Sequence, residues 1–284
     1  MPLDSDTPFR ITRQQAMARA MKRPNYDVQS VNRALDILEA FGPEHLEWGV
    51  SALSRQLGLH KATTYRLLQT LKARGLVEQD PATGNYRLGL RLYELGMRVI
   101  APAELVYVAR DPLRELALTV GESASMAVLN GRDAVTISKA DAARFGGVVH
   151  TLGRSQRAHS TANGKVLLAH LPPKLFDALM QGVELERFTD RTITDVDLLR
   201  AHLAQVRRQG YALDNQETEV GLCCAGAPIR DHAGWVVAAV GISGPATRLD
   251  WTRDTDKVEA VVQTAQEISR RLGYLPELDA TTTS

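Results

Sequence analysis

Leu59 to Leu71, LHKATTYRLLQTL, is the stretch that decides the fold of the N-terminal part of the chain. Its apolar residues recur at helical spacing and predict a helix from Lys61 to Arg74 that ends at Gly75. The preceding stretch, Ser51 to Gly58, predicts a shorter helix whose terminal glycine opens a three-residue turn. Two helices joined by a tight turn containing glycine form a helix-turn-helix.

The residues on either side of this unit complete the predicted domain. Apolar spacing predicts a first helix from Ser30 to Phe41. After Gly75 the spacing changes to two, which predicts short strands at 76–79 and 85–88 around the turn-forming segment DPATG, 80–84. Three helices followed by a hairpin make a winged helix-turn-helix over residues 26–90, whose third helix can enter a DNA major groove.

The distribution of charge is compatible with DNA binding. The net charge is only +1, but residues 1–92 carry a balance of +4 and the remainder −3. Ser51 to Val77 contains five basic residues and no acidic one. Such a run is either a phosphate-binding footprint or a solvated helix face, and charge alone favours neither.

Candidate DNA contacts follow from this geometry. The outward positions of the third helix are Lys61, Thr63, Tyr65, Arg66 and Gln69. Arg66 can fork onto a guanine edge or hold a phosphate, whereas Arg55 and Arg87 are better placed for phosphates. The basic segment 1–25 favours a disordered arm over a DNA contact.

Composition excludes several other classes of protein. At 284 residues the chain suggests two domains, and no apolar run approaches the length of a membrane span. The N-terminus has no signal-peptide core, and the only two cysteines, Cys223 and Cys224, are adjacent, so we expect a protein of the reducing cytoplasm. No metal-ligand spacing, Walker A loop, GxSxG or GxGxxG occurs, so neither a cofactor nor enzymatic activity is expected.

The rest of the chain predicts a second domain of mixed α and β structure. Residues 91–110 read as a linker helix, or equally as an ordinary core helix, and 277–284 as a tail. Within 111–276 the patterns predict strands at 123–129, 134–140, 222–229 and 235–243, with helices at 112–120, 161–170 and 195–209 and a final apolar helix. This order predicts an α+β fold in which an antiparallel sheet is flanked by helices.

Several ordered blocks resemble the IclR family of bacterial transcription regulators. They are SVNRALDILEAF (30–41), LHKATTYRLLQTL (59–71), HSTANGKVLLA (159–169), DNQE (214–217), GLCCAGAPI (221–229) and AAVGISGP (238–245). His60, Ala62 and Thr64 depart from the residues that are most common in the family, which leaves the operator sequence open. The resemblance implies a GAF-like effector domain, a homodimer or dimer of dimers, and a pseudopalindromic operator on double-stranded DNA.

The resemblance also implies the residues of an effector pocket. They are Ala162, Asn163, Asp214, Leu222, Cys224, Gly241 and Ser243, with Phe145 and Val148 as an apolar lid. Gly241 replaces a frequent serine, which removes a hydroxyl donor and would make room for a larger ligand. Glycine-rich backbone at the start of a helix suits an anion, so we expect a carboxylate-bearing metabolite and, from family frequency, a repressor.

Two alternatives stay open at this stage. One is an enzyme that uses Cys224, Asp214 and His159, and the other is a nucleic-acid scaffold without a ligand. The adjacent cysteines are either a redox sensor or, as we favour, buried or pocket-lining thiols, because neighbouring strand residues point to opposite faces.

Overall fold

The computed structural model describes residues 28–42, 45–99, 103–142 and 151–275. The chain divides into two compact units between Ala103 and Glu104. Within the described ranges, no helix combines the length and apolar character that crossing a membrane requires.

The N-terminal unit is a winged helix-turn-helix, as predicted. Its helices are α1 (Gln29–Glu39), α2 (Val50–Gln56), α3 (Lys61–Ala73) and α4 (Arg91–Val99), and its wing consists of the antiparallel strands β1 (Val77–Gln79) and β2 (Tyr86–Leu88). The core of this unit is formed by Ile37, Phe41, Leu53, Leu68, Leu71, Val77 and Tyr86. Because Tyr86 is fully buried, the wing is part of this core and not an appendage.

Glycine makes the connection between recognition helix and wing possible. Gly75 has φ +71° and ends α3, a conformation that side-chain-bearing residues rarely adopt. Gly89, just after β2, lies so close to the carbonyl group of Gly75 that a Cβ atom would collide with it. The chain can therefore leave the wing directly beside the point where it entered.

The C-terminal unit is built on one six-stranded antiparallel sheet. Its strands are β3 (Ser123–Asn130), β4 (Asp133–Ala140), β5 (Ser155–Arg157), β6 (Ala212–Asn215), β7 (Leu222–Arg230) and β8 (Val236–Pro245). Their order is β5-β4-β3-β8-β7-β6, with every pairing antiparallel. The helices are α5 (Ala103–Val120), α6 (Ala162–Ala169), α7 (Pro173–Met180), α8 (Val196–Gln209) and α9 (Thr255–Arg271).

Each face of this sheet carries its own core. On one face, apolar side chains of β3, β7 and β8 pack against α5 and α9. On the other face, Ala127 and Ala239 pack against α6, α7 and α8. The predicted α+β architecture is confirmed, and the layer containing α6 is the one that carries the candidate effector site.

The helices around the predicted linker differ from the expectation. The helix predicted from Pro112 begins earlier in the structure, because α5 runs from Ala103 through Pro112 to Val120, while α4 covers Arg91–Val99 of the predicted linker helix. The apolar residues Leu105, Ala109 and Leu113 form one stripe in the core, so packing holds α5 together across Pro112.

Candidate DNA interface and effector site

The N-terminal half of α3 presents a mixed basic and aromatic surface. Lys61, Tyr65 and Arg66 are exposed and Thr63 is half-buried, while Thr64 and Leu68 on the opposite side are fully buried. The buried face of α3 therefore packs against the domain, and its opposite face is exposed to solvent. Arg55 of α2 is also exposed. Exposed basic residues on and beside such a helix are what contact with DNA would require.

Two of the candidate DNA-contacting residues already have partners within the domain. The Nε2 atom of Gln69 donates to the Tyr86 hydroxyl at 2.7 Å, which ties α3 to the wing. Arg87 forms an exposed ion pair with Glu78 at 3.1 Å. Gln69 is therefore placed to orient the wing, and a phosphate would compete with Glu78 for Arg87.

Three of the candidate effector residues form a row across the sheet. Asp214, Cys224 and Ser243 are direct partners on β6, β7 and β8, so their side chains project from the same face. The Ser243 hydroxyl lies 3.1 Å from the Cys224 sulfur. Leu222 lies two residues from Cys224 on β7 and shares this face. The structure thus brings these four residues together on one face of the sheet, and their role in binding an effector stays a prediction.

A neighbouring row contains the glycine pair Gly226 and Gly241, which are direct partners on β7 and β8. The start of α6 lies directly on this pair. A Cβ atom on Gly226 would lie 3.1 Å from the backbone nitrogen of Asn163 and 3.2 Å from the carbonyl carbon of Ala162. Glycine at 226 therefore permits the close approach of helix and sheet that brings both α6 residues to the site.

The space above Gly241 is filled, contrary to the expectation of room for a larger ligand. A Cβ atom at Gly241 would meet the Asn163 Oδ1 atom at 2.6 Å, and one at Gly226 would meet the same oxygen at 2.6 Å. The Asn163 carboxamide thus occupies the space that side chains at positions 226 and 241 would otherwise fill. Oδ1 is buried and has no hydrogen-bond partner.

A buried cluster of charges lies beside these rows. The Nζ atom of Lys165, which is fully buried, donates to Glu217 Oε1 at 2.5 Å and to the Leu213 carbonyl at 2.6 Å. The fully buried Asp214 accepts from the Glu217 backbone N–H at 2.7 Å and from the Thr218 hydroxyl at 2.9 Å. Burial raises the pKa of both carboxyl groups, against the opposing charge of Lys165. Both carboxyl groups therefore take up a proton more readily than exposed ones do.

The segment after β6 is clamped into position. Gln216 has φ +63°, the only such value for a residue other than glycine in the described ranges. Thr189 donates to the Gln216 carbonyl at 2.7 Å and Thr192 to the Glu217 carbonyl at 2.6 Å. These bonds hold the strained backbone that delivers Glu217 to Lys165.

The thiols and the histidine do not form a catalytic arrangement. Burial raises the pKa of the Cys224 thiol well above its usual range and also raises that of Cys223, so both stay protonated. The Nε2 atom of His159 lies 2.9 Å from the Glu186 carbonyl oxygen, and its ring stacks on Phe188. Phe145 and Val148, the predicted lid, lie outside the described residues. The part of the chain that the structure describes contains no cluster of potential metal ligands.

Sequence reasoning missed Lys165, Glu217, Thr218 and Gly226. One signal existed for the lysine, because Lys165 opens the apolar run VLLA in a short helix and thus stands at a buried position. Its partner Glu217 comes from a loop 52 residues later in the chain. No spacing rule connects the two.

Together, a winged domain and a separate unit with a buried polar cluster are the parts expected of a DNA-binding regulator that carries a ligand-binding domain. Family models agree: residues 30–81 match the IclR helix-turn-helix domain and residues 97–270 the bacterial transcriptional regulator IclR C-terminal domain. The chain belongs to the IclR family of transcription regulators.

Individual relatives are similar over nearly their full length. The chain is 36% identical to the regulator XynR of Escherichia coli K12 (87% of this chain, 98% of XynR) and 38% identical to KdgR of the same organism (89% and 95%). A transcriptional regulator from Rhodococcus sp. RHA1 superposes with a TM-score of 0.73 at 35% identity (87% and 98%). An IclR homologue from Microbacterium hydrocarbonoxydans, solved in complex with 4-hydroxybenzoate, gives 0.75 at 25% identity (86% and 99%). These relatives are named as regulators and not as enzymes, and this chain is a transcription regulator.

Proposed function

We propose that this protein is a cytoplasmic repressor whose operator binding is controlled by a carboxylate-bearing metabolite bound in the C-terminal unit. The observation that carries the proposal is the presence, in one chain, of a helix with an exposed basic surface and of a buried polar cluster in a separate unit. DNA would be bound by a homodimer or a dimer of dimers. The operator would then be pseudopalindromic, with half-sites separated by about 34 Å or a multiple of it.

The DNA-binding part of the proposal assigns roles to the exposed residues. Arg66, Thr63 and Tyr65 would contact base edges or phosphates, Lys61 would lie on the same surface of α3, and Arg55 and Arg87 would meet phosphates. Gln69 acts through Tyr86 by fixing the wing against α3. The repressor assignment draws on relatives that carry that name, such as AllR of Salmonella typhimurium, which is 36% identical over 87% of this chain.

The ligand part of the proposal follows from the chemistry of the buried polar cluster. The face of the sheet around Asp214, Cys224 and Ser243 is polar and largely withdrawn from solvent, and the helix start at Ala162 and Asn163 adds a positive dipole end above it. An anion is favoured there, and the raised pKa of Asp214 allows that carboxyl group to become neutral beside it. Effector binding would shift the balance between two arrangements of the paired DNA-binding domains.

The proposal is tested by fluorescence anisotropy on the DNA upstream of the protein's own gene, with a scrambled duplex as control. Matched pairs of acid and neutral amide serve as ligands: benzoate and benzamide, 4-hydroxybenzoate and 4-hydroxybenzamide, pyruvate and pyruvamide. We expect tight binding to the first duplex only, and release by at least one acid but by none of the amides. Equal binding to both duplexes that salt abolishes would contradict an operator in this DNA. Release by amides as effectively as by acids would contradict the carboxylate class.

A further inference from the structure

Helix α5 of the C-terminal unit exposes a regular row of residues along its outer side, while its inner side is held in the core of the sheet. The row consists of Tyr107, Asp111, Arg114 and Leu118, at spacings of four, three and four residues. Its two ends are large and apolar, since Tyr107 is 73% and Leu118 is 59% exposed. Residues at this spacing lie along one side of a helix and form the seam when two helices pack together.

A second copy of the same helix matches this row when the two helices run antiparallel. In a contact with twofold symmetry, if residue i meets residue j of the partner, residue j also meets residue i. With the axis midway along the row, Tyr107 meets the partner's Leu118 and Asp111 meets the partner's Arg114. Two ion pairs then lie at the centre of the contact, and an apolar pair lies at each end.

The parallel orientation does not suit the charges of the row. In a parallel pair related by a twofold axis, each residue meets its own counterpart. Asp111 would then meet the partner's Asp111, and Arg114 the partner's Arg114. Because like charges that meet across an interface are strongly unfavourable, the order of charges selects the antiparallel arrangement.

Within one protomer the two central charges are only weakly engaged. Asp111 lies 3.4 Å from the adjacent Arg110 in an ion pair whose side chains are 66% and 71% exposed. Such exposed pairs contribute little to stability. Arg114 is exposed and has no ion-pair partner within the ranges that the structure describes. Both groups are therefore available to a partner.

We propose that the outer row of α5 is a docking surface for α5 of a second copy of this chain, in an antiparallel contact with twofold symmetry. The contact joins two C-terminal units and needs neither DNA nor effector. It thus goes beyond the proposed function, which states only that DNA would be bound by a homodimer or a dimer of dimers. In a dimer of dimers, this contact is one of the interfaces that hold the assembly together.

The test uses Arg114→Glu and Asp111→Arg, each in the full-length protein, with sedimentation velocity over a range of concentrations. Either change alone places like charges against each other at both central positions. We expect the assembly to lose one step, from tetramer to dimer or from dimer to monomer, because the dissociation constant of that step rises roughly tenfold or more. Arg132→Glu makes the same chemical change at the exposed turn between β3 and β4 and should keep the wild-type mass.

An equimolar mixture of the two variants gives the decisive measurement. In a mixed pair every acidic side chain at the centre of the contact again meets a basic one, whereas the charges along each single helix are the same as before mixing. We expect the mixture to regain the wild-type mass, which an effect confined to one helix would not produce. Circular dichroism shows whether each variant is folded, and Tyr107→Ser, which removes the apolar pairs at the ends, carries the test if a charge variant is not.

Two results would overturn the inference alone: a charge variant that keeps the mass of the wild type, or a mixture that stays dissociated. A wild type that is monomeric at every concentration would overturn the inference together with the proposed homodimer. The two failures are therefore distinguishable.

Discussion

Replacing Lys165 with methionine removes the only positive charge from the buried cluster beside the effector site while keeping most of the side-chain volume. The side chain of Lys165 is 0% exposed and that of its partner Glu217 is 10% exposed, at an N–O distance of 2.5 Å. Breaking a buried ion pair by removing one partner costs about 3–5 kcal/mol, because the other charge is left uncompensated. We expect the free energy of unfolding to fall by about that amount near pH 8.

The loss should depend on pH in a defined direction. Burial already raises the pKa of Glu217, and without Lys165 it rises further. A carboxyl group whose pKa is raised by folding contributes stability at low pH that is lost as the pH increases through the folded-state pKa. The slope is up to about 1.4 kcal/mol per pH unit for one proton. The variant should therefore be closer to wild type at pH 6 than at pH 8.

Urea-induced unfolding, followed by circular dichroism and tryptophan fluorescence at both pH values, measures this effect. Lys174→Met, at an exposed position on α7, is the matched control and should cost little. The double variant with Glu217→Gln should recover part of the stability, because the carboxylate that lost its ion-pair partner is then replaced by a neutral amide. The buried Asp214 keeps its hydrogen bonds to the backbone of residue 217 and to Thr218. A Lys165 variant as stable as the control, or a double variant no more stable than the single one, would refute the reasoning.

Three further outcomes are expected. Arg66→Ala should weaken operator binding by roughly 1–3 kcal/mol if the guanidinium contacts a base. Arg74→Ala, at an exposed position, is the control. If the two variants give the same operator affinity in anisotropy titrations, Arg66 does not contact a base. Tyr86→Phe should lower the free energy of unfolding by about 0.5–1.5 kcal/mol, because Gln69 loses its hydrogen-bond partner at 2.7 Å. An unchanged thermal midpoint would show that this bond does not stabilise the fold. Asp214→Asn should become progressively more stable relative to wild type as the pH rises, because burial raises the pKa of Asp214. A difference in free energy of unfolding between the two proteins that stays constant from pH 5 to 8 in urea titrations would contradict this expectation.

Local patterns in the sequence determined a large part of this protein. Apolar spacing and glycine turns predicted α1, α2, α3 and the wing, because in these elements each helix or strand buries neighbours a few residues apart. The alternation of strand residues likewise predicted that Cys223 and Cys224 would face opposite ways. Resemblance then placed Asp214, Cys224 and Ser243 in one site, where the sheet register aligns them.

Only the tertiary structure decided the chemistry of the site. The ion pair of Lys165 with Glu217 and the hydrogen bond of Gln69 with Tyr86 join residues that no local period relates. From sequence, Gly241 indicated an open space, whereas the fold fills that space with the Asn163 amide. The physical reason is that spacing reports which face of an element is apolar, while the partner of a polar side chain depends on which distant elements pack against that face.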